Sequence, residues 1–336
     1  MDATPKIFDD VVLKGGNKPV IVDFYADWCQ PCRMLSPALE NYTKDKGTTD
    51  GKEFDLMTVD VDKHHELAAK YQVRVTSLPT VIAFKNEQIT TEQLFQIIHI
   101  GQATITYMLQ GSIQHEDSMG NLGTLCTGDV QWMIAGRGVK HAEMPIYQEG
   151  TDVPIGLQLW VNLPSQHKMT APTYRDIKSD AIPTIVREHG NIEIRIISGT
   201  SCGISVTPPS VGGCWYLHLK FRKDHFSFDQ ELPSGWTAFI YVLAGTLSIR
   251  SETFSPRTAV VLSSNPNESY VHLSAEEDGT EIVLFAAKPL NQPIARFGPF
   301  VMNTKEELQK AILDYRMEIN GFENARRWKS SIGGRQ

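Results

Sequence analysis

Apolar residues in the first quarter of the chain gather in short unbroken runs, whereas beyond residue 102 they come in brief extended segments separated by turns. Pro19-Val20-Ile21-Val22-Asp23-Phe24-Tyr25 is a β-branched run of the kind a buried strand uses, and Lys6 to Leu13 before it reads as a short helix. Arg33 to Asn41 is helix-like. Residues 87 to 98 carry Thr90 with Gln93 three positions on and then an apolar run, which predicts a short capped helix. That stretch has no Gly, Pro or Ser, so it joins two regions without a flexible spacer. Later come Ala103 to Leu109, Gly111 to His115, a Ser118-Met119-Gly120-Asn121 turn and Gly128 to Met133. Many short strands at near-regular spacing predict a sandwich or barrel. Trp236 to Ile249 repeats the strand, x-Gly-x turn, strand pattern of Ala103 to Ile113, which suggests duplicated β-barrels. Thr304 to Met317 closes the series as an amphipathic helix with Thr304 as its cap.

Composition narrows the picture. A chain of 336 residues, 41% apolar and 21% charged, has the length and make-up of a multidomain soluble protein with a substantial core. No apolar run approaches the roughly 20 residues of a membrane helix, and Met1-Asp2-Ala3-Thr4-Pro5-Lys6 has neither a secretory core nor transit-peptide character. The expectation is a cytoplasmic or nuclear protein without membrane contact. A net charge of -7 argues against direct nucleic-acid binding, the one basic cluster being terminal (Arg326, Arg327, Lys329, Arg335). Five cysteines with one close pair fit a reducing compartment. Cys126, Cys202 and Cys214 read as buried small hydrophobes.

Two clusters carry chemistry. The first is Trp28-Cys29-Gln30-Pro31-Cys32, placed where a strand gives way to a helix. A helix start favours the thiolate of Cys29, and the first turn holds Cys32 near enough to resolve a mixed disulfide. No second Cys or His pair follows at zinc-finger spacing, which sets the metal reading of this pair aside. Asp23 is an acid inside an otherwise apolar strand, which is costly unless it has a task or a partner. The second cluster is His141-Ala142-Glu143. On an extended segment, residues two apart face the same way, so an imidazole and a carboxylate can address one metal. The bland alternative is a strand edge that happens to carry both. His115 and His167 are expected at the surface, and His218, His225 and His272 show no comparable pairing.

The first segment resembles thioredoxin through Trp28-Cys29-Gln30-Pro31-Cys32, Val22-Asp23-Phe24-Tyr25-Ala26, Pro37, Val59-Asp60-Val61-Asp62 and Leu78-Pro79-Thr80. The resemblance implies Cys29 as nucleophile, Cys32 as resolving thiol, Asp23 as the carboxylate assisting it and Pro79 as the proline facing the disulfide. Two residues are additional between Tyr71 and Pro79, and after Asn86 the edge strand and closing helix of that fold give way to other sequence. From about residue 99 to 320 the chain resembles the pirin family of the cupin superfamily. The residues that carry this are Thr104 to Leu109, His115 to Asn121, Gln131 to Pro145, Gly156 to Pro164 and Gly298 to Thr304. The resemblance implies two jelly-roll-like barrels, the first holding one iron through three histidines and a glutamate. His99, His141 and Glu143 carry over, while Ile97 stands where the family has its remaining histidine. Two imidazoles and a carboxylate still match a facial triad for non-haem iron, with one anchor fewer.

The expected architecture is multidomain: a thioredoxin-like α/β unit over 1–86, a junction over 87–98, a mainly-β bicupin over 99–188 and 189–303, and a helix with basic tail over 304–336. One reading of function is a pirin-like iron protein, either a redox-sensitive co-regulator working with a transcription factor or a quercetin-type dioxygenase acting on a flavonol-like molecule. The second is a reductase of protein disulfides with an attached interaction module. The third is a merger of two proteins at a mispredicted exon boundary.

Overall fold

The computed structural model describes residues 4–13, 20–29, 32, 39, 48–49, 52–53, 55–70, 80–85, 88–89, 95–146, 153–209, 211–325, 328 and 330–332. Pro37, Pro79, the additional residues before Pro79, nearly all of the helix expected over 33–41 and the terminal basic cluster lie outside these. The chain divides into two compact units, residues 1–95 with 331–336, and residues 96–330.

In the first unit the helix Pro5–Phe8 is capped by Thr4, whose hydroxyl accepts from the Ile7 amide, and it continues as a π turn over Asp9–Leu13. The sheet runs Asp55–Asp60, Val20–Tyr25, Thr80–Lys85, Gln88–Ile89. Its first pair is parallel and its second antiparallel. Val20, Val22 and Phe24 pack with Phe8, Met57 and Val59 into one core, the burial that a run of alternating large apolar residues provides. Gln88–Ile89 pairs with Thr80–Lys85, so an edge strand is present where the sequence suggested its loss.

Phe95–His99 is a strand, not the end of a capped helix, and it lies beside Val139–Ile146. A capping signal is a weak local preference, and pairing with a distant strand overrides it. It completes the sheet Leu122–Cys126, Ser112–Asp117, Val139–Ile146, Phe95–His99. The facing sheet is Ile155–Asn162, Gln102–Gln110, Val130–Ile134, Thr173–Ile177. Alternation sorts the residues of this second sheet onto two faces. Ile105, Tyr107, Trp132, Leu157, Leu159 and Val161 join Ile197, Tyr216, Val283 and Phe285 in a single apolar cluster between the barrels. Thr104, Thr106, Gln131, Met133, Gln158 and Trp160, at the intervening positions, share the opposite face of this sheet, buried or half-buried except for Trp160, which is 38% exposed.

The second barrel is built from Thr184–Arg187, Ile192–Ser201, Trp215–Phe221, Glu281–Ala287, Thr237–Ala244 and Ala259–Val261 against Phe226–Glu231, Tyr270–Ala275, Leu247–Ile249 and Glu252–Phe254. Ile194, Ile196, Leu217, Leu219, Phe221, Ile240, Val242 and Leu273 fill it with hydrocarbon. The barrels also meet through a buried polar chain. Tyr107 Oη lies 2.8 Å from His218 Nδ1, and His218 Nε2 lies 2.6 Å from Glu281 Oε1. Burial keeps His218 below its usual pKa, so the neutral ring accepts from Tyr107 at Nδ1 and donates to Glu281 at Nε2. Burial alone would raise the Glu281 carboxyl, but His218 and Lys220 outweigh it and bring it down to about 2.

Two features fix the chain around His99. Gly101 has φ +70°, and a Cβ there would run into the Val301 carbonyl. Lys168, only 1% exposed, places its ammonium 2.9 Å from Gly101 O, 2.7 Å from Asn162 Oδ1 and 3.0 Å from Val301 O. Burial lowers its pKa to about 8. The helix Lys305–Met317 begins at Thr304 with a full capping box and packs with Ile100, Phe300, Met302 and Phe322. Of the remaining cysteines only Cys214 is buried; Cys126 and Cys202 are exposed, which corrects the expectation that all three are core residues. Cys202 has φ +48°, a turn conformation that favours the surface.

Candidate metal centre and thiol pair

The strand Val139–Ile146 pairs with Ser112–Asp117 so that His141 lies opposite Asp117 and Glu143 opposite His115. The two-residue spacing therefore does what it implies, turning His141 and Glu143 to one face. The adjacent strand Phe95–His99 brings His99 beside them: the rings of His99 and His141 are 5.0 Å apart, 64° between planes. His99 and His141 are 0% and 1% exposed. Neither nitrogen of His141 has a hydrogen-bond partner, and neither has Nε2 of His99. A buried polar atom without a partner is costly and calls for an explanation. Burial, reinforced by the neighbouring His141, holds His99 well below its usual pKa; burial takes His141 down to about 4 against the opposing pull of Asp117. Both are thus neutral imidazoles, the form in which histidine ligates metals.

Glu143 is differently engaged. Burial raises its pKa, while His115, Thr106 and Gln158 act to lower it. Its carboxylate accepts from Gln158 Nε2, at 3.2 Å on Oε1 and 3.1 Å on Oε2. Among the described residues no three His, Cys, Asp or Glu side chains converge closely enough to hold a metal ion. Ile97 lies two residues before His99 on the same strand, and an isoleucine has no donor atom. The residues fit a metal in kind: two neutral imidazoles stand side by side, with both nitrogens of His141 and Nε2 of His99 unpartnered, and a carboxylate on the same face accepts from Gln158 and Thr106.

Several residues of the site have no sequence signature. Gln102 Nε2 donates to Pro299 O at 2.8 Å and lies 2.8 Å from His99 Nδ1. Gln158 accepts from Trp160 Nε1 at 2.8 Å. His115, expected at the surface, is buried at 4% exposure. It lies 3.2 Å from Asp176 Oδ2 and 2.9 Å from Gln131 Nε2. Gly123 stands opposite it, and a Cβ there would collide with its ring, so the glycine makes the space. Alternation within Ser112–Asp117 could have placed His115 inward, had the facing strand been known.

In the first unit Cys29 and Cys32 are disulfide-bonded, 4% and 1% exposed, and the Cys32 amide points at Cys29 Sγ from 3.2 Å. Asp23 is fully buried in the middle of Val20–Tyr25, between Thr58 and Val81. Trp28 is 51% exposed and donates from Nε1 to Asp62 Oδ2 at 2.8 Å.

Comparison with known proteins identifies the family. The Thioredoxin family model matches residues 1–97, the Pirin model 58–161 and the Pirin C-terminal cupin domain 216–321. Over 246 residues the chain is 40% identical to Pirin from Mus musculus, covering 70% of this chain and 80% of that protein. It is 38% identical over 237 residues to a pirin-like protein from Solanum lycopersicum, covering 69% and 78%. A crystal structure of quercetin 2,3-dioxygenase from Acinetobacter baumannii is 34% identical with TM-score 0.63, covering 68% of this chain and 80% of that one. With a thioredoxin domain at its N-terminus and cupin-type barrels after it, the chain belongs to the pirin family.

Proposed function

We propose that the first barrel binds one iron ion through His99, His141 and Glu143, and that the protein is a pirin-type iron protein carrying a thiol-disulfide domain. The observation that carries the reading is the pair of buried imidazoles whose nitrogens have no protein partner. A bound iron supplies a Lewis-acidic, redox-active centre. The chain's own part is to present neutral rings from two adjacent strands, keep water from them by burial and hold the carboxylate beside them. The reading takes one of two uses: oxidation of a flavonol-like small molecule, which the likeness to proteins named quercetin 2,3-dioxygenase supports, or redox-dependent contact with a transcription factor in the nucleus or cytoplasm. No helix among the described residues is long and apolar enough to cross a membrane. Anaerobic titration of the full chain with Fe(II) should give one bound ion, and His141→Ala should abolish binding. A wild-type chain that takes up no metal refutes the reading.

A second activity is favoured by the Cys29–Cys32 disulfide next to the exposed Trp28. In the reduced pair, Cys29 thiolate attacks a protein disulfide and releases one substrate thiol. Cys32 then displaces the second, leaving the substrate reduced and Cys29–Cys32 oxidised. Asp23 is assigned to accept the Cys32 proton. A dithiol such as dithiothreitol returns two electrons. Insulin reduction driven in this way should vanish in Cys29→Ser, and a wild type that shows no turnover counts decisively against this activity.

A further inference from the structure

Within the proposed centre, His99 is met by Gln102 and Glu143 accepts from Gln158 and Thr106, and the Gln158 amide is in turn oriented by Trp160. Trp160 Nε1 can only donate, so the Gln158 atom 2.8 Å from it is the amide oxygen. The amide nitrogen must then face Glu143, where it donates at 3.1–3.2 Å to the carboxylate. Without the Trp160 N–H the amide could turn over and present its oxygen to a carboxylate, a repulsive contact. Thr106 steadies the same end, its Oγ1 accepting from Gln158 Nε2 at 3.3 Å. The ring of Trp160 also meets His99 edge-on, centroids 5.1 Å apart at 88°. One residue therefore touches both halves of the centre, His99 by its ring and Glu143 through Gln158. Register explains how: Gln158 and Trp160 lie two apart on Ile155–Asn162, opposite Thr106 and Thr104, and so share one face of the sheet.

We infer that Gln158 and Trp160 are positioning residues that set the metal affinity of this barrel, by fixing Glu143 and His99 in one arrangement. The inference rests on the iron reading above. It matters more in this chain than where four ligands are present, because Ile97 contributes none. A carboxylate offers about four lone-pair sites. Oε1 accepts from Gln158 and Thr106 and Oε2 from Gln158 alone, so acceptor capacity remains on Oε2 for a metal.

The test is anaerobic titration of the full-length protein with Co(II), read by its visible absorption spectrum and by quenching of tryptophan fluorescence. Gln158→Leu should loosen Co(II) about 10–100-fold, the usual effect of removing an outer partner of a ligand. Its Co(II) spectrum should change as Glu143 loses its fixed orientation. Trp160→Phe keeps a ring against His99 but removes the N–H, so it should loosen binding in the same direction by a smaller factor. Because Trp160 acts on Glu143 through Gln158, adding Trp160→Phe to Gln158→Leu should loosen binding less than it does alone. Thermal unfolding of each variant identifies any that fails to fold, and the two single variants serve independently. If wild type binds and both variants bind as tightly with the same spectrum, the positioning roles are wrong and the iron reading stands. If wild type takes up no Co(II), or His141→Ala takes it up as well as wild type, the iron reading fails and this inference with it.

Discussion

Replacing Lys168 by Met tests how the segment that carries His99 is held. The ammonium joins three chain segments: the Gly101 turn just after His99, Asn162 at the end of the Trp160 strand, and Val301 before the terminal helix. Met keeps an unbranched apolar stem of similar length but donates nothing. Two opposing effects follow. Charge burial lowers the Lys168 pKa from 10.5 to about 8, a cost of about 3 kcal/mol at neutral pH that the substitution relieves. Against this, three buried acceptors lose their donor, at about 1–3 kcal/mol each. The net expectation spans about 0–6 kcal/mol, with a mid-range loss of about 3 kcal/mol, or roughly 6–12 °C in Tm for a unit of this size. Urea and thermal unfolding of the full chain, followed by tryptophan fluorescence, measure it. The pH dependence supplies an independent sign. A lysine with lowered folded pKa gives up its proton first in the folded state, so between about 8 and 10.5 the unfolded chain holds more protons. Wild-type stability should therefore climb through that window relative to K168M, by up to about 1.4 kcal/mol per pH unit. A variant within about 0.5 kcal/mol of wild type, with the same pH profile, would refute the clamp.

Two other substitutions probe the remaining contacts. Tyr107→Phe leaves His218 Nδ1 buried without a donor and should cost about 1–2 kcal/mol in urea unfolding. In the same chain, Glu281→Gln should flatten wild-type acid sensitivity between pH 4.5 and about 2. A depressed carboxyl contributes stability that is present above the unfolded value and lost on acidification through the folded one. Gly101→Ala places a side chain at positive φ against the Val301 carbonyl. It should cost about 2 kcal/mol or more and weaken Co(II) uptake by displacing His99, read by Tm and by titration.

The parts of the site that were legible were those encoded by local spacing. His141 and Glu143 announce a shared face because a strand has period two, and Cys29 and Cys32 announce a redox pair because three residues span one helical turn. The terminal helix was equally readable, since Thr304 and Glu307 form the capping box from adjacent sequence. What distant pairing decides was not. Phe95–His99 carries a plausible helix start just before it, yet its conformation comes from Val139–Ile146 more than forty positions on. His115 reads as a lone surface histidine until Gly123 is known to lie opposite it. Gln158 and Trp160 look like any amide and aromatic in a strand. Only the register that sets Gln158 against Thr106, and the facing sheet that carries Glu143, give them a role.

The apolar cluster between the barrels has a consequence for how this chain can change over time. Along Gln102–Gln110, Val130–Ile134 and Ile155–Asn162, one set of alternate residues anchors the first barrel to the second, while the other set forms the opposite face of the sheet. Affinity for the neighbouring barrel and chemistry toward a ligand are thus written on opposite sides of the same three strands. Substitutions at Thr106, Gln131 or Gln158 can alter the polar contacts around Glu143 and His115 without touching the hydrocarbon contact made by Ile105, Trp132 and Leu157. The fold is in this sense a chassis in which one face of a sheet can vary while the other keeps the two barrels joined.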